Sequence, residues 1–397
     1  MDHARECNRD GALPIHVVAT SKAENEIRAR KERPFFEVTR RDYIRLALAY
    51  GRKNECRRYT NSRGDIVQTF QLTKLPKKSS IGILGASLCG GLCLSVTGAA
   101  QAGPTAEARL TEAWRAAITG VAVPGQGCFT AEYPSTVWMP VACTKAPAGP
   151  FVPKRGPKGF VVGNGNDYAA ETASPISSAV GSFPSIKGLK QETNEGASDT
   201  YTLQLNSSYY VAPVCQGAAV PSECRAWMQY VYSNNSPSAG TAFMEIWLIN
   251  YGSNCPAGWA PYATDCYYNS NGVNVPNQTL SALGDIQVSG AAVSGGNDTV
   301  KVTAAKKAYA VTMPDSMIDL AGNWNTAEYN LFGDGGGSEA EFNPGTKIKV
   351  KVQLQDGSTN APTCITDGFT LESNNLGLNT CKAAGGKKPS ITFSESN

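Results

Sequence analysis

Histidine is almost missing from this chain: its two copies are His3 and His16, and nothing beyond them can supply an imidazole. That absence excludes a Ser-His-Asp or Cys-His nucleophile system from the rest of the protein, and with it a His-ligated zinc site. None of the 12 cysteines forms a C-x-x-C pair, so a thiolate zinc knuckle is also excluded. Charged residues are scarce at 17%, and long amphipathic repeats are rare. What is plentiful instead is glycine (40) and proline (23), the punctuation of short strands and turns. Any hydrolytic chemistry must therefore use carboxylates, amides, hydroxyls or a lysine, and no metal or other cofactor is called for.

The net charge of +3 hides two unlike parts. Residues 1–78 carry 18 Lys and Arg against 10 Asp and Glu, leaving 18 against 23 for the remainder. The acidic balance of the larger part argues against nucleic acid as its partner. Residues 1–74 read as a basic extension without turn-bounded strands, with some helical periodicity in KAENEIRARKERPFFEVTRRDYIRLALAY. A small cytoplasmic helical domain is one reading. The other is an over-extended gene start: no Met lies between Met1 and Met139, so a start near the next segment would use a Val or Leu codon at Val67, Leu72 or Leu75.

Residues 75–102 have the layout of a secretory signal. Lys74, Lys77 and Lys78 precede the apolar run Ile81 to Ala102, which ends in Ala-Gln-Ala before Gly103. A signal anchor is the alternative, which five glycines in the run disfavour. Neither Cys89 nor Cys93 has the preceding small residue that lipidation needs. The expectation is a secreted protein, extracellular or periplasmic, cleaved after Ala102 and not stably anchored in a membrane.

After that boundary, Thr105 to Gly120 predicts a short helix, capped by Thr105, ended by Gly120, with Leu110, Trp114 and Ile118 on one side. The rest of residues 103–159 reads as an irregular, Pro- and Gly-rich lead-in wrapped on the main body. From residue 160 to 397 short apolar or alternating stretches recur between Gly, Asn, Asp and Ser clusters, without helices between them. This predicts an all-β fold, a two-sheet antiparallel β-sandwich or jelly roll. In KIKVKVQLQ, Ile348, Val350, Val352 and Leu354 face the core and Lys347, Lys349 and Lys351 face water.

Eight cysteines follow the signal: Cys128, Cys143, Cys215, Cys224, Cys255, Cys266, Cys364 and Cys381. They fall in four couples close in sequence, which predicts nearest-neighbour disulfides that stabilise turn-rich loops in an oxidising compartment.

The candidate chemistry lies on the strands. Gln229 shares a face with Trp227 and Val231 in AWMQYVYSN, and Glu245 shares one with Phe243, Trp247 and Ile249 in AFMEIWLINY. Glu328 follows Trp324 by four residues in NWNTAEYNLFGDGGGSEAEF. A carboxyl among aromatic rings is how a hydrolase presents an acid/base with a raised pKa; ordinary cross-strand polar pairing is the plain alternative.

The succession WMQYV, FMEIWLINY, GDIQVSG, DTVKVTA and NTAEYNLF over about residues 200–355 resembles the glutamic (eqolisin) peptidases, whose fold is a concanavalin-like double-sheet sandwich. In that family a Gln and a Glu form the active dyad, the Glu within T-N-A-E-W. The resemblance implies that Glu328, in N-T-A-E-Y, is general base and then acid on a water, and that Gln229 stabilises the oxyanion at acidic pH. Trp227, Glu245, Trp247 and Trp324 would then contact substrate.

A second reading is a non-catalytic, lectin-like carbohydrate-binding module, since Tyr, Trp and Asn/Ser-rich loops suit a sugar face. A glycoside hydrolase needs a paired carboxylate, which the strand of Glu245 lacks. The ligand is thus expected to be a polypeptide or a polysaccharide, and the oligomeric state is left open. The glycine-rich loops Gly333 to Ser338 and Ser294 to Asp298 read as tight turns.

Overall fold

The computed structural model describes residues 105–155, 161–164, 167–235 and 239–397, together with the backbone of 53–60 and 66–73. The predicted signal and the helix-like stretch before it lie outside the described residues. Of the N-terminal unit, β1 (Lys53–Thr60) and β2 (Ile66–Thr73) form an antiparallel pair running from Lys53 opposite Thr73 to Thr60 opposite Ile66. This corrects the expectation of no turn-bounded strands there: KNECRRYT and IVQTFQLT flank Asn-Ser-Arg-Gly-Asp, a turn-forming sequence.

The helix forms where the sequence predicts it. In α1 (Ala106–Thr119) the Thr105 hydroxyl accepts from Ala108 N, and Gly120 closes the C-terminus. Leu110, however, is 59% exposed; the buried stripe is Thr111, Trp114, Arg115 and Ile118. What turns the helix this way is a polar anchor: Arg115 donates to Asp285 O at 2.7 Å and Asp285 Oδ1 at 2.9 Å, fixing the Arg115 side inward. The Lys301 ammonium holds the other end, donating to Thr119 O (2.7 Å) and Val121 O (2.8 Å), where the unpaired carbonyls of a helix terminus attract a cation.

Two large antiparallel sheets make the body. In sheet I the order is β10 (Ala260–Tyr262), β11 (Asp265–Asn269), β9 (Gly240–Ile249), β8 (Arg225–Asn235), β7 (Thr200–Ser207), β15 (Thr326–Phe332), β5 (Tyr168–Glu171) and β17 (Thr363–Thr366). Sheet II runs β18 (Gly377–Leu378), β19 (Ser390–Ser396), β16 (Lys347–Gln355), β6 (Ser178–Lys187), β12 (Gln287–Ala291), β13 (Asn297–Ala304), β14 (Lys307–Pro314), β3 (Gly127–Glu132) and β4 (Met139–Val141). The lead-in therefore contributes an edge of sheet II through β3 and β4. In β16 the four apolar side chains are buried, while Lys347 and Lys349 are exposed and Lys351 half-buried, as the alternation predicts.

The sheets meet through Leu203, Leu205, Met228, Tyr230, Ile246 and Tyr329 from sheet I and Val288, Val300, Val302, Val311, Val350 and Val352 from sheet II. Two glycines of sheet II permit the close approach. A Cβ on Gly181 would lie 2.1 Å from the Tyr329 ring, and one on Gly290 would lie 2.3 Å from the Tyr230 ring. Those tyrosines each follow a candidate site residue, so the fit that seats them also sets the backbone of Gln229 and Glu328. The outer face of sheet II is covered by α1, whose Trp114 and Ile118 join Phe129, Ala308 and Ala310.

Among the described residues four disulfides join nearest neighbours: Cys128–Cys143, Cys215–Cys224, Cys255–Cys266 and Cys364–Cys381. Such bonds fit an extracellular protein. Among the described residues no helix is long and apolar enough to cross a membrane.

Candidate active site

Pairing register gathers the polar residues of sheet I into one row. Asn206 of β7 stands opposite Gln229 of β8 on one side and Glu328 of β15 on the other. Gln229 in turn faces Glu245 of β9, and Glu245 faces Asn269 of β11. Because side chains alternate, all five share the face turned away from the core occupied by Tyr230, Leu205 and Tyr329. Gln229 and Glu328 are thus two strands apart, about 10 Å between backbones.

Hydrogen bonds run along this row. Asn206 Nδ2 donates to Glu328 Oε2 at 3.0 Å. The Gln229 amide turns its nitrogen toward Phe151 O (3.0 Å) and Glu245 Oε1 (3.2 Å), an orientation set by the acceptors around it, and its oxygen then accepts from a Gln204 amide turned nitrogen-first toward it. Trp247 Nε1 donates to Glu245 Oε1 at 2.8 Å. Beyond Glu328, Asn330 donates to both oxygens of Asp167 and to Glu395 Oε2.

The row is closed over by two other segments. Phe151 N donates to Glu245 Oε1 at 2.8 Å, and Phe369 N donates to the Glu328 carboxyl at 3.2 to 3.3 Å. Phe151 packs with Val231 and Phe243; Phe369 packs with Trp227, Trp247 and Ala169. Gln229, Glu245 and Glu328 are consequently all fully buried.

Burial governs the carboxyls. It is the first cause that pushes Glu328 well above the ordinary carboxylate range; the Asp167 carboxyl adds to it, while Asn206, Phe369 N and Lys154 oppose it. Glu245 is raised in the same way, with Trp247 and Phe151 N opposing. A carboxyl taken out of water keeps its proton unless a cation or several donors compensate.

Of the residues singled out from sequence, Gln229, Glu328, Glu245, Trp227 and Trp247 fall on this one face. Trp324 does not. It lies in the inter-sheet core, its ring centroid 5.6 Å from that of Tyr230, and is fully buried. The four-residue step from Trp324 to Glu328 carries the chain from a short helical turn into β15, so parity along a strand does not apply to it. Trp227 and Trp247 are also fully buried, which leaves none of these rings facing outward for a sugar. Gln204 and Asn206 were missed, although the signal was present: two amides alternate with Leu203 and Leu205 on one strand. Phe151, Asp167 and Phe369 reach the site from distant sequence and carry no local signal.

Among the described residues no cluster of His, Cys, Asp or Glu could hold a metal ion. No protein-family profile and no curated protein matches the chain. Two solved structures of Scytalido-glutamic peptidase are similar to it, each at 14% identity over 58% of this chain and 96% of theirs. The one with a peptide-based transition state analog superposes with a TM-score of 0.30, and the one with a transition state analog inhibitor with 0.26. A likeness of that size carries no inference about activity.

Proposed function

We propose that the chain is a secreted endopeptidase of the glutamic type, in which Glu328 and Gln229 share one water-mediated step. The single observation that supports this reading is the placing of both side chains on one face of sheet I, on either side of Asn206, whose amide donates to Glu328. Opposite faces would have made a common water impossible.

In the proposed reaction Glu328 takes a proton from water as the water oxygen bonds to the peptide carbonyl carbon. The Gln229 amide nitrogen donates to the oxyanion that forms. The carbon–nitrogen bond then breaks and Glu328 returns the proton to the leaving amine, so one water is consumed and no net proton. Neither step needs an imidazole or a metal. Glu328 must be ionised to begin the cycle, and burial opposes that in the closed site. Exposure to water and substrate would return the carboxyl toward the acidic range in which the enzyme is proposed to act.

The test is incubation of the purified protein with denatured casein from about pH 2 to 7, against Glu328→Gln. Loss of cleavage by about 10²-fold or more in the variant is expected, the usual worth of a general acid–base group. No cleavage at any pH, or unchanged cleavage by the variant, would contradict the proposal. Export with cleavage after Ala102 belongs to the same reading; protein recovered outside the cell should begin Gly-Pro-Thr-Ala-Glu, whereas an intact Met1 in the membrane fraction would contradict it.

A further inference from the structure

The segment that closes the site is extended and hydrogen-bonded as a bound peptide would be. From Phe151 to Lys154 the backbone runs antiparallel to residues 369–371: Leu371 N donates to Val152 O (2.8 Å), Lys154 N donates to Phe369 O (2.9 Å), and Pro153 bridges Thr370. Val152 N is taken up by Glu372 Oε1 at 2.9 Å. On its other side Phe151 gives its N–H to Glu245 and receives the Gln229 amide at its carbonyl. Strand addition of this kind is a general way of holding an unfolded polypeptide, with backbone bonds for affinity and alternate side chains in pockets for selection.

The position of the Phe151 carbonyl is the informative detail. It lies 3.0 Å from the amide nitrogen that the proposed mechanism assigns to the oxyanion. The ring of the same residue is 1% exposed and packs against Val231 and Phe243, 5.8 Å between the phenylalanine ring centroids. A bound substrate would need both things at once, a carbonyl on Gln229 and a side chain in the adjoining pocket. Ion pairs from Lys154 to Asp367 and from Arg155 to Asp265 fasten the far end. The near end leads back through exposed Ala148 and Gly149 to the Cys128–Cys143 bridge.

We infer that Phe151 and Val152 hold the place of a substrate: displaced, this strap uncovers a site for an extended polypeptide with a large aromatic side chain between Val231 and Phe243, on the acyl side of the bond cut. The inference rests on the peptidase reading for the word "cut", and on the geometry alone for the peptide site. Until the strap moves, the protein inhibits itself.

The experiment uses the full chain, wild type and Phe151→Ala, with a fluorescein-labelled peptide of sequence APAGPFVPKR, residues 146–155, as probe. Fluorescence anisotropy should show the variant binding the probe about tenfold or more tighter than wild type. A probe with alanine in place of its phenylalanine should lose about tenfold or more, the contribution of one buried aromatic side chain. The variant should also cleave denatured casein faster, with Phe, Tyr or Trp before the cut bonds in mass spectra. A folded variant that binds neither probe, or both equally, overturns the inference. Should Phe151→Ala fail to fold, a specific protease site inserted between Ala148 and Gly149 and cut after folding frees one end of the strap, and the same binding is expected. The two readings separate cleanly: selective binding without any cleavage contradicts the peptidase and keeps the peptide site, whereas Glu328-dependent cleavage without selective binding does the reverse.

Discussion

Gln229 and Glu328 lie on the same face of one sheet with a single strand between them, each opposite Asn206. This relation turns two isolated polar residues into one row of polar side chains, and the row is sealed by Phe151 and Phe369. From that arrangement, and from the packing that holds it, several outcomes can be checked.

The protein should be most stable in acid. Burial is the first cause that pushes Glu192 and Glu395 up to about 8 and Asp298 up to about 9. Unfolded, these groups return to about pH 4, so between those values the folded chain holds protons that the unfolded chain has released. Their contribution is complete below about pH 4 and is lost as pH rises through 8 to 9. Lys301, lowered to about 8 by burial, acts in the opposite sense and only above that pH. Urea unfolding midpoints should therefore fall from pH 4 to pH 8; a midpoint that rises over this interval would contradict the burial of these carboxyls.

Gly290→Ala should destabilise the fold by about 1–3 kcal/mol, since a methyl group there meets the Tyr230 ring and neither sheet can easily retreat. Gly125→Ala, with nothing within 4 Å of its added carbon, serves as the control and should change stability by a few tenths of a kcal/mol at most. Equal effects in chemical denaturation would mean that the sheets do not meet as closely as described.

Removing the Cys364–Cys381 bridge as the paired serine variant should cost about 3 kcal/mol, the loop entropy expected for its separation of 17 residues. The bridge pins β17, the outer neighbour of the strand carrying Ala169, to Cys381, which directly precedes residues 382–384 paired with β19 of sheet II. A loss well under 1 kcal/mol in reversible unfolding would show that this edge is held by other contacts.

How far the sequence goes depends on the range of the physical signal. Disulfide partners were legible because each couple is separated by 9 to 17 residues, and the sandwich because turns and period-two strands are local patterns. The shared face of Trp227, Gln229 and Val231 follows from alternation alone. Trp324 was misplaced because it precedes β15, where alternation does not extend, and Leu110 because Arg115 and Lys301 anchor α1 from outside its own apolar pattern. The cover over the site was invisible for a deeper reason: Phe151 meets Glu245 across 94 residues, and Phe369 meets Glu328 across 41, contacts that only the folded path creates.

The central claim is that Gln229 and Glu328 act on one hydrolytic step, the amide on the oxyanion and the carboxyl on the water, and a double-mutant cycle in peptide hydrolysis tests it most directly. Gln229→Ala should reduce kcat by about 10²- to 10³-fold and Glu328→Gln by about 10²- to 10⁴-fold. Because both serve one step, the double variant should be little worse than the more damaged single one. Losses that multiply in the double variant, with folding intact by circular dichroism, would show two groups working independently and would contradict the shared site.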